Sequence, residues 1–137
     1  MQLLEKALKL VPTHLKPTLS GIVDKPPSAL KPWPKNPRRH SPKQLFKLKA
    51  SMVKFGFTAP ILVDEAGVIL AGEARWQVAQ DLKHTLVPTR VISGLTQTEK
   101  RAYVLADNKL ALLSSWDMDL LRDEIQLLIA DDFEIEL

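Results

Sequence analysis

The sequence predicts a small α/β (α+β) domain, a mixed sheet of short strands packed with several helices and followed by a helical C-terminal part. Three observations predict it. Ser41-Pro42-Lys43-Gln44 and Thr96-Gln97-Thr98-Glu99 each open an apolar-periodic run, which is how a capped helix begins. Pro60–Asp64 and Val68–Ala71 flank the turn Glu65-Ala66-Gly67 and read as a hairpin of two short strands. The second of these runs passes directly through Gly72 into a helical stretch ending near Leu82, so strand and helix share one junction.

Taken in order, residues 1–11 are compatible with a short amphipathic helix stopped by Pro12. Residues 12–40 hold most of the prolines and cannot be helical. They are expected to form an extended arm with one edge strand near Ser28–Lys31, then a rigid basic loop through Pro32–His40. Ser41 can cap the next helix, Pro42 suits its first position and Gln44 completes a capping box. That helix should place Leu45, Leu48, Met52 and Phe55 on one face and Lys43, Lys47 and Lys54 on another, and stop at Gly56. Val87–Ile92 reads as a third strand, Thr96 opens a long helix reaching about Leu113, and a last helix spans about Asp117–Ile129 with acids in its first turn. The expected organisation is an arm over residues 1–24, a folded body over 25–130 and a tail over 131–137.

With 137 residues, 45% apolar and 26% charged, the chain supports one ordinary core. No apolar run approaches the roughly 20 residues of a spanning helix, so no membrane partner is expected. No secretory signal is evident, which makes the cytoplasm the default location. The absence of cysteine excludes disulfides, thiolate metal sites and a cysteine nucleophile. Charge is asymmetric: residues 1–54 are rich in Lys and Arg, whereas residues 117–137 carry eight acids. A basic front half can face a polyanion such as DNA, although an ordinary mixed surface reads the same way.

The junction Gly72-Glu73-Ala74-Arg75 carries the strongest chemical signal. Glycine lets a ligand approach the backbone, and the helix start offers unpaired N–H donors to an anion. Arg75 projects from the first turn on the buried side, where it needs either an internal carboxylate or an exchangeable phosphate. Asp107 and Asn108 sit among apolar residues of a helix and are candidate Mg²⁺ ligands, with a helix cap or a solvated stripe as the alternatives. Lys35, Asn36, Arg38, Arg39, His40, Lys43 and Lys47 can follow a nucleic-acid backbone, with Trp33 available for stacking. The lysines read equally as the wet face of a helix. The three histidines lack metal-ligand spacing.

Taken together, Leu30-Lys31-Pro32, NPRRHS at 36–41, FGFTAPILVDEAGVILAGEAR at 55–75 and ADNKLALLSSWD at 106–117 resemble the ParB-like N-terminal domain over about residues 25–130. The resemblance is to versions found in phages and mobile elements, often fused in front of a DNA-modification methyltransferase. It implies the ParB/sulfiredoxin fold, DNA and nucleotide as partners, a homodimer, and a methyltransferase as fused or separate partner. It further implies that the turn at Gly72, Glu73, Ala74 and Arg75 grips the triphosphate of CTP or ATP. Asp107 and Asn108 would hold Mg²⁺, and Phe57, Thr58 and Pro60 would contact the nucleotide. Ala74 and Asp107 depart from the family's usual arginine and glutamate. Sulfiredoxin places its catalytic cysteine just after this glycine, where Glu73 stands, so peroxiredoxin repair is excluded. A metal-dependent nuclease or NTP hydrolase with Glu73 as base, and a protein-interaction domain with a vestigial pocket, remain the alternatives.

Overall fold

The computed structural model describes residues 17–134 together with residues 2, 3 and 136. The expected helix over residues 1–11 lies almost wholly outside them. The elements are β1 (Thr18–Leu19), β2 (Val23–Lys25), a 3-10 turn (Pro27–Ala29), α1 (Pro42–Phe55), β3 (Ile61–Val63), β4 (Ile69–Ala71), α2 (Glu73–Asp81), β5 (Val87–Ser93), α3 (Gln97–Leu113) and α4 (Met118–Ala130).

β5 is central. β3 pairs parallel to it, with Ile61 opposite Thr89, and β4 pairs antiparallel to β3 across a register shift between Leu62 and Val63. On the other edge β1 and β2 both run antiparallel to β5, with Leu19 opposite Ile92 and Val23 opposite Thr89. Ser20 bridges the gap between them: its N–H donates to the Val91 carbonyl at 2.9 Å and its hydroxyl accepts from the Val91 N–H at 2.8 Å. Pairing therefore reaches back to Thr18, upstream of the expected start near residue 25. Short, exposed and Gly-interrupted, these strands have no alternating apolar pattern to announce them.

The expected edge strand near Ser28–Lys31 is not present. Two successive prolines remove donor N–H groups and fix φ, so Pro27–Ala29 form a 3-10 turn and pairing is confined to a single bridge from Lys31 to Val68. Gly67 makes that approach practicable: with φ +82, a Cβ there would lie 2.7 Å from the Ala29 carbonyl oxygen.

The helices begin where the capping residues predict. Ser41 Oγ accepts from Gln44 N at 3.1 Å, Thr96 Oγ1 from Glu99 N at 3.2 Å, and Asp117 from Asp119 N and Leu120 N at 3.1 Å. Only half of the first capping box forms, because the Gln44 side chain bonds His40 Nδ1 at 3.2 Å instead. The main core joins Leu30, Met52, Ile61, Val63, Ile69, Val78, Ala79 and Val87. A second cluster unites Trp33, Leu70 and Val104, so Trp33 is a core residue and not the exposed stacking platform expected from sequence.

Asp64 is buried, accepts from the N–H groups of Ala66 and Val68 at 2.9 Å each, and pairs with Lys100 at 3.0 Å. This closes the hairpin turn and ties it to the start of α3. Beyond Val104 the helix leaves the body, and α4 contributes no buried residue. Phe55 follows it outward: half-exposed, it stacks on Phe133 at 6.3 Å between ring centroids. Lys54 Nζ lies 4.6 Å over the same ring and donates to the Glu134 carbonyl. Among the described residues no helix is long and apolar enough to cross a membrane.

Candidate functional site

The chain leaves β4 at Gly72, which adopts φ +102 and ψ 21 and starts α2 without any side-chain cap. That left-handed geometry suits glycine. A Cβ there would also lie 2.8 Å from Arg75 Nη2, so the missing side chain makes room for the guanidinium to fold back over the turn. Arg75 Nη2 donates to the Pro60 carbonyl at 3.1 Å, while its buried Nε has no hydrogen-bond partner among the described residues. No carboxylate forms an ion pair with it among those residues; the internal salt bridge that competed with the phosphate reading is not made. Burial lowers the Arg75 pKa, and the charge of Asp107 partly restores it.

The basic loop supplies the facing wall. Asn36 donates its amide to Glu73 Oε2, and its Oδ1 accepts from the Arg38 N–H at 3.0 Å. Arg38 Nη1 reaches the Asn108 carbonyl at 3.3 Å. These contacts hold the loop against both α2 and α3, enclosing a cavity of about 280 Å³. Asn36, Arg38, His40, Gly72, Glu73, Ala74, Arg75, Asp107 and Asn108 all line it, over a floor that includes Leu48 and Ile69.

Two guanidinium groups and an uncapped helix start thus face one concavity. Each favours an anion: the helix through its dipole and free N–H groups, arginine through a planar set of donors matched to phosphate oxygens. A buried donor such as Arg75 Nε carries a desolvation cost that a bound oxygen would remove.

Asp107 is exposed at the rim, contrary to the expectation of a carboxylate surrounded by apolar side chains, because α3 has already left the body there. Its charge still acts locally: burial raises the Tyr103 pKa first, and Asp107 raises it further. Asn108 donates its amide to the Val104 carbonyl at 2.8 Å, which leaves its side-chain oxygen as an acceptor. Among the described residues no three His, Asp or Glu side chains cluster as a metal site. Two oxygen donors fit Mg²⁺ when substrate phosphates and waters complete the octahedron.

The remaining sequence candidates lie elsewhere. Pro60 contributes only its carbonyl under Arg75, Thr58 is exposed, and Phe57 packs on the main core with its ring edge-on to His84 at 6.2 Å. Lys35, Arg39 and Lys43 are exposed, and Lys47 is half-buried on α1; none lines the cavity. Asn36, Arg38 and His40, read from sequence as backbone contacts for nucleic acid, belong to the cavity itself. Gln44, Leu48 and Ala111 line it too and were not anticipated; in sequence they are ordinary helix positions.

A mixed sheet with a glycine-started helix and a basic loop closing on it defines a ParB/sulfiredoxin-type domain. Residues 15–109 match the ParB N-terminal domain family, and the chain belongs to it. It is 44% identical over 80 residues to the ParB-like nuclease domain-containing protein YnaK of Escherichia coli (strain K12), a match covering 58% of this chain and 92% of that protein. It is similar in structure to the C-terminally truncated chromosome-partitioning protein ParB from Caulobacter crescentus complexed with CTP-gamma-S, with a TM-score of 0.68 and 26% identity. That match covers 80% of this chain and 63% of the other, so the chain spans less than two thirds of the ParB structure. The same ParB complexed to the centromeric parS site matches with a TM-score of 0.52 and 30% identity, over 63% of this chain and 46% of that one. Sulfiredoxin from Arabidopsis thaliana shares the fold, with a TM-score of 0.52 and 19% identity over 62% of this chain and 98% of that one.

Proposed function

We propose that this domain binds a nucleoside triphosphate, CTP in the first instance, at the Gly72-Glu73-Ala74-Arg75 turn and acts in association with DNA. The observation that carries the reading is Arg75: half-buried, free of any ion pair among the described residues, and with a buried, unpartnered Nε over an uncapped helix start. The solved relative bound to CTP-gamma-S supports the choice of ligand class. Phosphate oxygens would take the N–H groups that open α2, with Arg75 on one side and Arg38 on the other. Glu73, held by Asn36, would stay off the phosphates and fix the loop. Mg²⁺, where bound, neutralises phosphate charge; Asp107 and the side-chain oxygen of Asn108 are the residues that would hold it. The nucleobase would extend toward Phe57, Thr58 and Pro60. Exposed Arg39 and Lys43, with Lys47 beside them, would meet a DNA backbone, as the relative complexed to parS encourages.

Calorimetry with CTP, ATP, GTP and UTP, each with and without Mg²⁺, tests this reading. Binding of at least one triphosphate, strengthened by Mg²⁺, is expected; no heat from any of the four, together with no binding to duplex DNA, refutes it. The likeness to a protein named for a nuclease domain favours one second reading, in which Glu73 acts as a base in metal-dependent phosphodiester cleavage. Nicking of plasmid DNA in Mn²⁺ that vanishes in Glu73→Gln would establish it.

A further inference from the structure

A second concavity lies on the other side of the basic loop, between that loop and the first half of α3, and the phosphate site makes no use of it. Its volume is about 360 Å³, enough for one bulky side chain. Trp33 and Val104 form an apolar floor, both almost fully buried, and half-exposed Leu105 edges it. Pro34 and Pro37 stiffen one wall, since their φ angles are fixed whether or not anything is bound. Lys35 and Arg101 stand at the rim, both exposed and neither ion-paired among the described residues. Among the described residues no acid lines the concavity.

Lys35 also adopts φ +53, a left-handed backbone that a residue with a Cβ adopts at a cost. The turn holding it is anchored on both sides, by Trp33 in the second core cluster and by the contacts of Asn36 and Arg38 already described. Lys35 is therefore presented from a fixed turn, and Arg101 from the first half of α3.

We infer that this concavity docks an acidic peptide segment of a partner protein, one bulky apolar side chain entering over Trp33 and flanking carboxylates meeting Lys35 and Arg101. Preformed apolar pockets that take one anchor residue are where a peptide's binding energy concentrates, and rim charges of opposite sign select the sequence around the anchor. A nucleic-acid backbone would satisfy the two cations but leave the apolar floor unused.

The test is an NMR titration of the full chain with an end-blocked peptide of one tryptophan flanked by two glutamates on each side. Shifts are expected at the Trp33 indole, Val104 and Leu105. Affinity should fall roughly tenfold in the Lys35→Glu/Arg101→Glu protein, whose two reversed rim charges repel the peptide. A peptide with lysines in place of the glutamates should produce no shifts, and CTP binding should be unchanged in the charge-reversed protein. Exchange of two exposed rim residues leaves the fold in place, and matching melting temperatures will verify that. Shifts centred on the Gly72 cavity or on Phe55, an equal response to the lysine peptide, no response at all, or stronger shifts at the same residues from duplex DNA would each overturn the assignment.

Discussion

The β4–α2 junction and the arm made by the end of α3 with α4 are similarly rich in apolar residues, yet they meet opposite fates. Ile69, Val78 and Ala79 are 2%, 1% and 0% exposed, whereas Leu110, Leu113 and Ile129 are 65%, 79% and 68% exposed. Helical periodicity identifies a face that needs cover; it does not say whether the same chain supplies it. At the junction the cover comes from the sheet. In the arm the described residues set Phe133 and Glu134 against Lys54 and Phe55 but leave Leu110, Leu113 and Ile129 uncovered.

Unfolding experiments test that difference. Ile61→Ala, which empties a fully buried position at the centre of the main core, should cost about 4 kcal/mol in urea denaturation. Asp64→Asn, at the joint between hairpin and α3, leaves Lys100 without its nearest carboxylate and should cost about 3 kcal/mol. The Asp64 pair also carries a pH signature. Burial alone would raise the Asp64 pKa, but the Val68 N–H, Lys100 and the Ala66 N–H together bring it below its unfolded value. A folded value below the unfolded one means that the stabilisation is complete above pH 3.8 and disappears as pH falls through the folded value. Melts between pH 5 and 2 should therefore show an acid-side decline, and the part due to this group should be missing in Asp64→Asn.

Smaller effects belong at the periphery. Ser41→Ala removes the cap of α1 and should cost about 1 kcal/mol in the same assay. Ile129→Ala, on the uncovered arm, should change stability by less than about 0.5 kcal/mol. A loss as large as that of Ile61→Ala would mean that α4 is packed in solution after all.

Elements with a strong local signature were legible in the sequence. Ser41, Thr96 and Asp117 marked helix starts, and the Gly67 turn with its β-branched flanks marked the hairpin. β1 and β2 were missed because two or three exposed residues carry no periodicity, and their pairing with β5 is long-range. The candidate site was half legible. Gly72 and Arg75 announced themselves as a glycine junction followed by a charge on the inward side of the helix. What the sequence could not say was that Asn36 would bond Glu73, a partner 37 residues away, and draw Arg38 and His40 into the cavity. Basic residues in a proline-rich loop look like backbone contacts for a nucleic acid until the loop is seen closed. Asp107 was misread for a related reason: Val104, one turn before it, is buried, but Leu110 and Ala111, one turn after it, are exposed.

Everything proposed for the site depends on the half-buried guanidinium of Arg75 taking an anion at the start of α2. Equilibrium dialysis of labelled CTP with Mg²⁺ against the native protein and Arg75→Ala addresses it most directly. Saturable binding is expected that weakens in the variant by roughly 1.5–3 kcal/mol, the contribution of a hydrogen bond to a charged group. Equal retention of CTP by the two proteins would contradict it.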